Sequence, residues 1–142
     1  MYNKVLIALD GSAPSFRAVK AAAKMAGCIE QISLIYVVTI HRVVSSDGQS
    51  MEFFPPEYAQ ELNQKAQEVM DKAEQILGKH PRITKIVESG VPAETILHIL
   101  ARDHYDLVIL GSRGLNELKA LFLGSVSHKI VSLASCPVMV VK

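Results

Sequence analysis

Tryptophan is absent, cysteine occurs twice, and aromatic residues make up only 6% of the chain. Cys28 and Cys136 lie far apart and outside any Cys-x-x-Cys spacing. That excludes a disulfide framework and a zinc site and makes reduced, buried thiols the expectation. Charge of one sign is lacking as well: 15 Lys plus Arg meet 14 Asp plus Glu, for a net +1. No global field then draws the chain to nucleic acid or to an anionic membrane, and any anion site has to be local. No apolar stretch approaches the ~18 residues of a membrane span. The opening carries only the short apolar run Val5–Leu9 before a charge. It reads as a strand rather than a signal peptide, and a soluble cytoplasmic protein is expected. The five histidines do not cluster, and no His-Glu-x-x-His occurs, so no metal site is expected.

What the chain does have is apolar content in a regular order. With 49% hydrophobic and 20% charged residues over 142 positions, it reads as one globular domain spanning residues 1–142, because single domains cluster at roughly 100–150 residues. Val5–Leu9 is continuous and apolar, as in a strand covered on both faces. Ser12 can cap the helix that follows, in which Phe16, Val19, Ala23 and Ala26 recur at helical spacing and which Gly27 stops. Ile32–Val38 is a second strand. A polar stretch from about Thr39 to Phe54 exceeds the roughly 2–6 residues usual for such a connection, and reads either as a lid or partner loop or as a surface excursion. Pro55-Pro56 opens a long helix with Tyr58, Leu62, Ala66, Val69, Ala73 and Ile76 on one stripe, ended by Gly78.

Arg82–Glu88 reads as a third strand near an edge. A helix with Ala93, Ile96, Leu97 and Leu100 follows Gly90-Val-Pro92. Asp106–Leu110 is a fourth, buried strand, a helix runs from about Ser125 to Ala134, and Pro137–Val141 is the last strand. The βαβαβαβαβ order predicts an α/β fold, a doubly wound parallel sheet with helices on both faces. In such sheets ligands bind at the carboxyl ends of the strands, where strand order reverses. Asp10-Gly11-Ser12 and Gly111-Ser112-Arg113-Gly114 fall there. Glycines at 111 and 114 let backbone approach an anion, and Gly124-Ser125 starts a helix whose free N–H groups favour phosphate. Hydroxyls of Ser125 and Ser127 can add hydrogen bonds, and Arg113 and Lys119 supply local positive charge. The P-loop, the dinucleotide glycine motif and the Gly-x-Ser-x-Gly elbow are all missing. Asp10 can alternatively bond the backbone of its own turn. His128 reads as packing or solvent contact, the basic run Lys79–Lys85 as a solvated turn, and Cys136 as an inert core thiol.

Gly111-x2-Gly114-x9-Gly124-Ser125 resembles the G-2x-G-9x-G-(S/T) nucleotide motif of the universal stress protein A family. The resemblance covers the chain, from Lys4–Ser12 through Val37, Gly90 and Asp106–Gly111 to Cys136–Val141. It implies a five-stranded sheet of order 3-2-1-4-5 and bound ATP, with Mg²⁺ as a possible companion although no carboxylate cluster is dedicated to it. Carried over, Asp10 sits against the adenosine with the backbone of Ala8 or Leu9 nearby, and Val37 meets the adenine. Gly111, Arg113, Gly114, Gly124, Ser125 and Ser127 hold ribose and phosphates, and Val126 adds a backbone N–H. The family varies between Arg and His at the position of Arg113. The resemblance also suggests a homodimer through the edge strand Val138–Val141. The function expected is an adenine-nucleotide-binding stress-response module acting through its dimer and a protein partner, without rapid catalysis. The alternatives are a slow ATPase or phosphotransferase, with Asp10 positioning a water or metal and Arg113 stabilising charge, and a nucleotide-independent interaction module.

Overall fold

In the computed structural model, residues 1–39, 42–44, 46–52, 56–114 and 123–142 are described. Lys119 and the rest of 115–122 lie outside them. The elements run β1 (Tyr2–Leu9), α1 (Ala13–Lys24), a 3₁₀ turn (Ala26–Cys28), β2 (Ile29–Thr39), β3 (Arg42–Val44), β4 (Ser50–Glu52) and α2 (Pro56–Leu77). They continue with β5 (Ile83–Gly90), α3 (Pro92–Asp103), β6 (Leu107–Gly111), α4 (Ser125–Leu133) and β7 (Val138–Val141). Five strands form one parallel sheet in the order β5-β2-β1-β6-β7, which is the expected 3-2-1-4-5 arrangement. β3 and β4 pair antiparallel as a separate hairpin in the stretch read as an irregular polar connection.

Alternation along the central strands divides the core in two. Val5, Ile7, Leu9, Leu34 and Ile109 pack with Ala18, Val19, Ala66, Met70 and Ala73 of α1 and α2. Leu6, Ala8, Ile35, Val108 and Leu110 pack with Ile96, Ile99, Leu100 and Ile130 of α3 and α4. The period of two within a strand puts neighbours on opposite faces, so a run such as Val5–Leu9 must be apolar throughout. The edge strand β5 is exposed at most positions, as its mixed composition requires.

Local chemistry sets the ends. Ser12 caps α1 as expected, its Oγ accepting from Ser15 N at 3.2 Å. α1 stops at Met25 rather than at Gly27, and Ala26 belongs to the 3₁₀ turn. Pro92 stands in the first turn of α3, where its missing N–H costs nothing. At the amino end of the sheet, Asp106 Oδ2 accepts from Asn3 N (2.7 Å) and Lys4 N (2.9 Å), tying β6 to β1 across more than a hundred residues of chain. Asp106→Ala is expected to cost about 1–2 kcal/mol in urea unfolding, since two backbone donors lose a charged acceptor in a half-buried place.

The Lys79–Lys85 run is mostly exposed, as expected, and its charges are paired at the surface: Lys85 bridges Asp71 (2.9 Å) and Glu74 (2.6 Å) of α2, and Arg82 pairs with Glu30 (2.6 Å). One expectation changes. Cys28 is exposed and Cys136 half-buried, so neither thiol is sealed in the core. Cys28 ends a short turn at the rim of the sheet, outside the burial that β2 provides from Ile29 onward. Burial and the nearby Asp106 carboxylate push the Cys136 thiol above its ordinary pKa, against a lowering from the Val108 backbone. A thiol reagent near neutral pH should therefore modify Cys28 first and Cys136 at least about tenfold more slowly, because only the thiolate reacts. Equal rates in the native protein would contradict this.

Candidate functional site

β1 ends where Asp10 turns back on itself. Its Oδ1 accepts from Ser12 N at 2.9 Å, and Gly11 adopts φ 84°, a conformation that L side chains resist. A β-carbon at Gly11 would also lie 3.1 Å from Val69 of α2. The turn thus realises the alternative in which Asp10 bonds its own backbone, and this does not remove the carboxylate from the crevice, because Asp10 remains half-exposed on its wall.

The end of β1 leaves β2 uncovered. The β1–β2 register closes at Leu9–Tyr36, whereas β2 stays paired with β5 as far as Thr39–Gly90. Ile32 N donates to Arg82 O at 2.9 Å, so even-numbered residues of β2 turn their backbone groups to β5 and odd-numbered ones to β1. The carbonyl of Val37 and the amide of Thr39 therefore face the gap past Leu9. An acceptor and a donor stand side by side there.

Across the gap, β6 leads into Gly111–Gly114. A β-carbon on Gly111 would lie 2.6 Å from the Pro14 carbonyl carbon and 2.8 Å from Ser15 N. Glycine is required because the first turn of α1 crosses here, a packing reason in addition to the anion approach expected of it. Ser112 is buried and fully engaged. Its N–H donates to Val141 O (2.8 Å), and its carbonyl accepts from Gly124 N (2.7 Å) and Ser127 Oγ (2.8 Å). The Ser127 hydroxyl also lies 3.1 Å from Gly124 O. Through these carbonyls the hydroxyl braces the start of α4, while Ser127 also lines the crevice.

α4 begins with Gly124 at its N-cap, and its first intrahelical bond runs from His128 N to Gly124 O at 2.9 Å. The N–H groups of Val126 and Ser127 precede that bond, at the positive end of the helix. Arg113 is half-buried, and its guanidinium makes no ion pair with a described residue.

One cavity of about 290 Å³ gathers these features. Ala8, Leu9, Asp10, Val37, Gly111, Arg113, Gly114, Gly124, Val126 and Ser127 all line it. Among the expected contacts only Ser125 does not; it is exposed in the first turn of α4. Ser15, Tyr36, Thr39, Pro92, Ile96 and Leu110 line it too and were missed by sequence reading. Ile96 and Leu110 look like ordinary core, and only the strand register reveals Thr39. The apolar members, Val37, Ile96, Leu110 and Pro92, form a slot on the α3–α4 face. Arg113, Gly114, Gly124 and Val126 stand at the α4 end. His128 is exposed outside the cavity. Among the described residues no three His, Cys, Asp or Glu side chains converge as metal ligands, and no helix is long and apolar enough to cross a membrane.

These features define a doubly wound α/β protein with a ligand crevice at its topological switch point. The universal stress protein family profile matches residues 1–142, and the chain belongs to that family. It is 32% identical to the universal stress protein YxiE of Bacillus subtilis over 148 residues, covering 100% of both chains. The structure of MJ0577 from Methanocaldococcus jannaschii superposes with a TM-score of 0.83 at 28% identity, covering 100% of this chain and 96% of that one. Two further structures share the fold. One is a universal stress protein in complex with cAMP (TM-score 0.72, 19% identity, 99% of this chain and 97% of that one). The other is from Archaeoglobus fulgidus in complex with dAMP (TM-score 0.67, 17% identity, 99% and 98%).

Proposed function

We propose that the protein binds an adenine nucleotide, ATP foremost, and works as a cytoplasmic stress-response module through a second copy of itself and a protein partner. The observation that carries this reading is the polarity of the crevice. An apolar slot beside the Val37 carbonyl and Thr39 amide suits a purine that offers a donor next to an acceptor. The other end, with Arg113 and the amino terminus of α4, suits phosphate. Gly111, Gly114 and Gly124 shape the floor between them, with Ala8, Leu9 and Asp10 beside the sugar. Val126 supplies an N–H, Ser127 braces the helix start, and Ser125 stands at the outer edge. The neighbours bound to cAMP and dAMP support the same ligand class.

A divalent cation such as Mg²⁺ would be held mainly by the phosphates, since Mg²⁺ keeps several waters and needs few protein ligands. The enzymatic alternative would rest on Asp10, one of whose carboxylate oxygens anchors its own turn. For the homodimer, β7 is an edge strand paired only with β6, and its residues Val138–Val141 are half-exposed. Leu133 of α4 adds an apolar side chain 61% exposed. An open apolar edge of this kind is a liability unless a partner covers it.

The test is to denature the purified protein, chromatograph what it releases, and titrate ATP into nucleotide-free protein by calorimetry. Adenine nucleotide in the first assay or saturable ATP binding in the second is expected. Absence of both overturns the reading and leaves the nucleotide-independent interaction module.

A further inference from the structure

One polar group in the crevice has no task in the reading above. Tyr36 lines the cavity beside Asp10 and is only 8% exposed. Its hydroxyl has no hydrogen-bond partner among the described residues. Nor is it sealed off, because no buried side-chain nitrogen or oxygen there is left unpaired. Oη therefore keeps some open surface, and Tyr36 is one of the residues that line the cavity. Burial, and next the Asp10 carboxylate, push this phenol above the ordinary tyrosine pKa, so it remains a protonated donor and lies within electrostatic reach of Asp10. Tyr36 packs with the α1–α2 core, whereas Val37 packs with the α3–α4 core. The phenol thus enters from the layer opposite the apolar slot, over the end of β1.

Asp10 offers the complementary group. Its Oδ1 takes the Ser12 amide, and Oδ2 receives no hydrogen bond from a described residue. An ionised carboxylate can only accept, and a protonated phenol short of solvent needs an acceptor. Both residues line the same cavity, and the Asp10 carboxylate is near enough to act on the phenol. A ligand group that donates to one and accepts from the other satisfies both.

We infer that Tyr36 is a specificity-determining residue of this crevice, reading the vicinal hydroxyls of a ribose together with Asp10. One hydroxyl of the diol donates to the carboxylate and its neighbour accepts from the phenol. A deoxy sugar strands one of the two protein groups. Sites built around a hydroxyl reject the analogue lacking it, because a buried polar group is then left unpaired. The inference rests on the nucleotide reading and adds Tyr36 as the residue that discriminates the sugar.

The experiment is calorimetric titration of wild type and Tyr36→Phe with ATP, 2′-deoxy-ATP and 3′-deoxy-ATP. Wild type is expected to bind ATP at least about tenfold more tightly than one of the deoxy analogues. Tyr36→Phe is expected to weaken ATP about 5- to 50-fold and to bring that ratio to within about threefold of unity. The chain has no tryptophan, so intrinsic fluorescence is tyrosine fluorescence, and an ATP-dependent change in it should disappear in the variant. The substitution is nearly isosteric, and an unchanged thermal midpoint shows that the fold is kept. A variant that binds ATP and both analogues as wild type does overturns the role of Tyr36 and leaves nucleotide binding standing. Wild type that binds none of the three overturns both.

Discussion

Gly111→Ala is expected to lower stability by at least about 3 kcal/mol, with or without nucleotide, because the added carbon meets backbone that cannot step aside. The new methyl would sit 2.6–2.8 Å from three atoms of Pro14 and Ser15. Those atoms belong to the first turn of α1, whose cap is fixed by Ser12 accepting from Ser15 N and by Ser15 Oγ donating to Ser12 O at 2.8 Å. Relief requires moving the helix or the end of β6, and both are buried against the central strands. Thermal unfolding of nucleotide-free protein should show a midpoint lower by about 6–12 °C. A midpoint within about 2 °C of wild type would mean that α1 yields at little cost, and would return Gly111 to a role in ligand approach alone.

The second large effect concerns the base. The Val37 carbonyl and Thr39 amide present acceptor then donor, which matches the amino group and ring nitrogen of adenine. Guanine offers a carbonyl and a ring N–H at the same places, so two acceptors and two donors would oppose each other. ATP should bind at least about 30-fold more tightly than GTP, since mismatched buried groups each lose a hydrogen bond and its desolvation compensation. Competition of both nucleotides against a fluorescent adenine analogue measures the ratio directly. Equal affinities would show that the exposed end of β2 does not read the base.

The strand and helix order was legible because each element carries its own signal. Continuous apolar runs mark strands buried on both faces, Ser12 and Pro92 mark helix starts, and Gly78 marks an end. The sheet order followed from the resemblance and stands in the β5-β2-β1-β6-β7 pairing. The β3–β4 hairpin was not legible, because Arg42–Val44 and Ser50–Glu52 are too short to show a period of two. Of the site, the glycine spacing marked the end of the crevice formed by Gly111–Gly114 and Gly124. The resemblance already put the Val37 main chain at the adenine, and three other features came only with the structure: the amide of Thr39 beside that carbonyl, the phenol of Tyr36, and the packing duty of Gly111. Each depends on where β1 stops relative to β2 or on which helix crosses β6, and neither is encoded locally.

Ser112 acts as a mechanical joint. Its amide holds the last residue of β7, and its carbonyl holds both Gly124 and Ser127. The floor of the crevice and the outer strand of the sheet are thus tied to a single residue. Neither can shift by a bond length without pulling on the other. A ligand in the crevice and a partner on β7 would therefore bear on the same residue, and any coupling between them would be reciprocal. The rim of the sheet and the floor of its crevice thus share one residue.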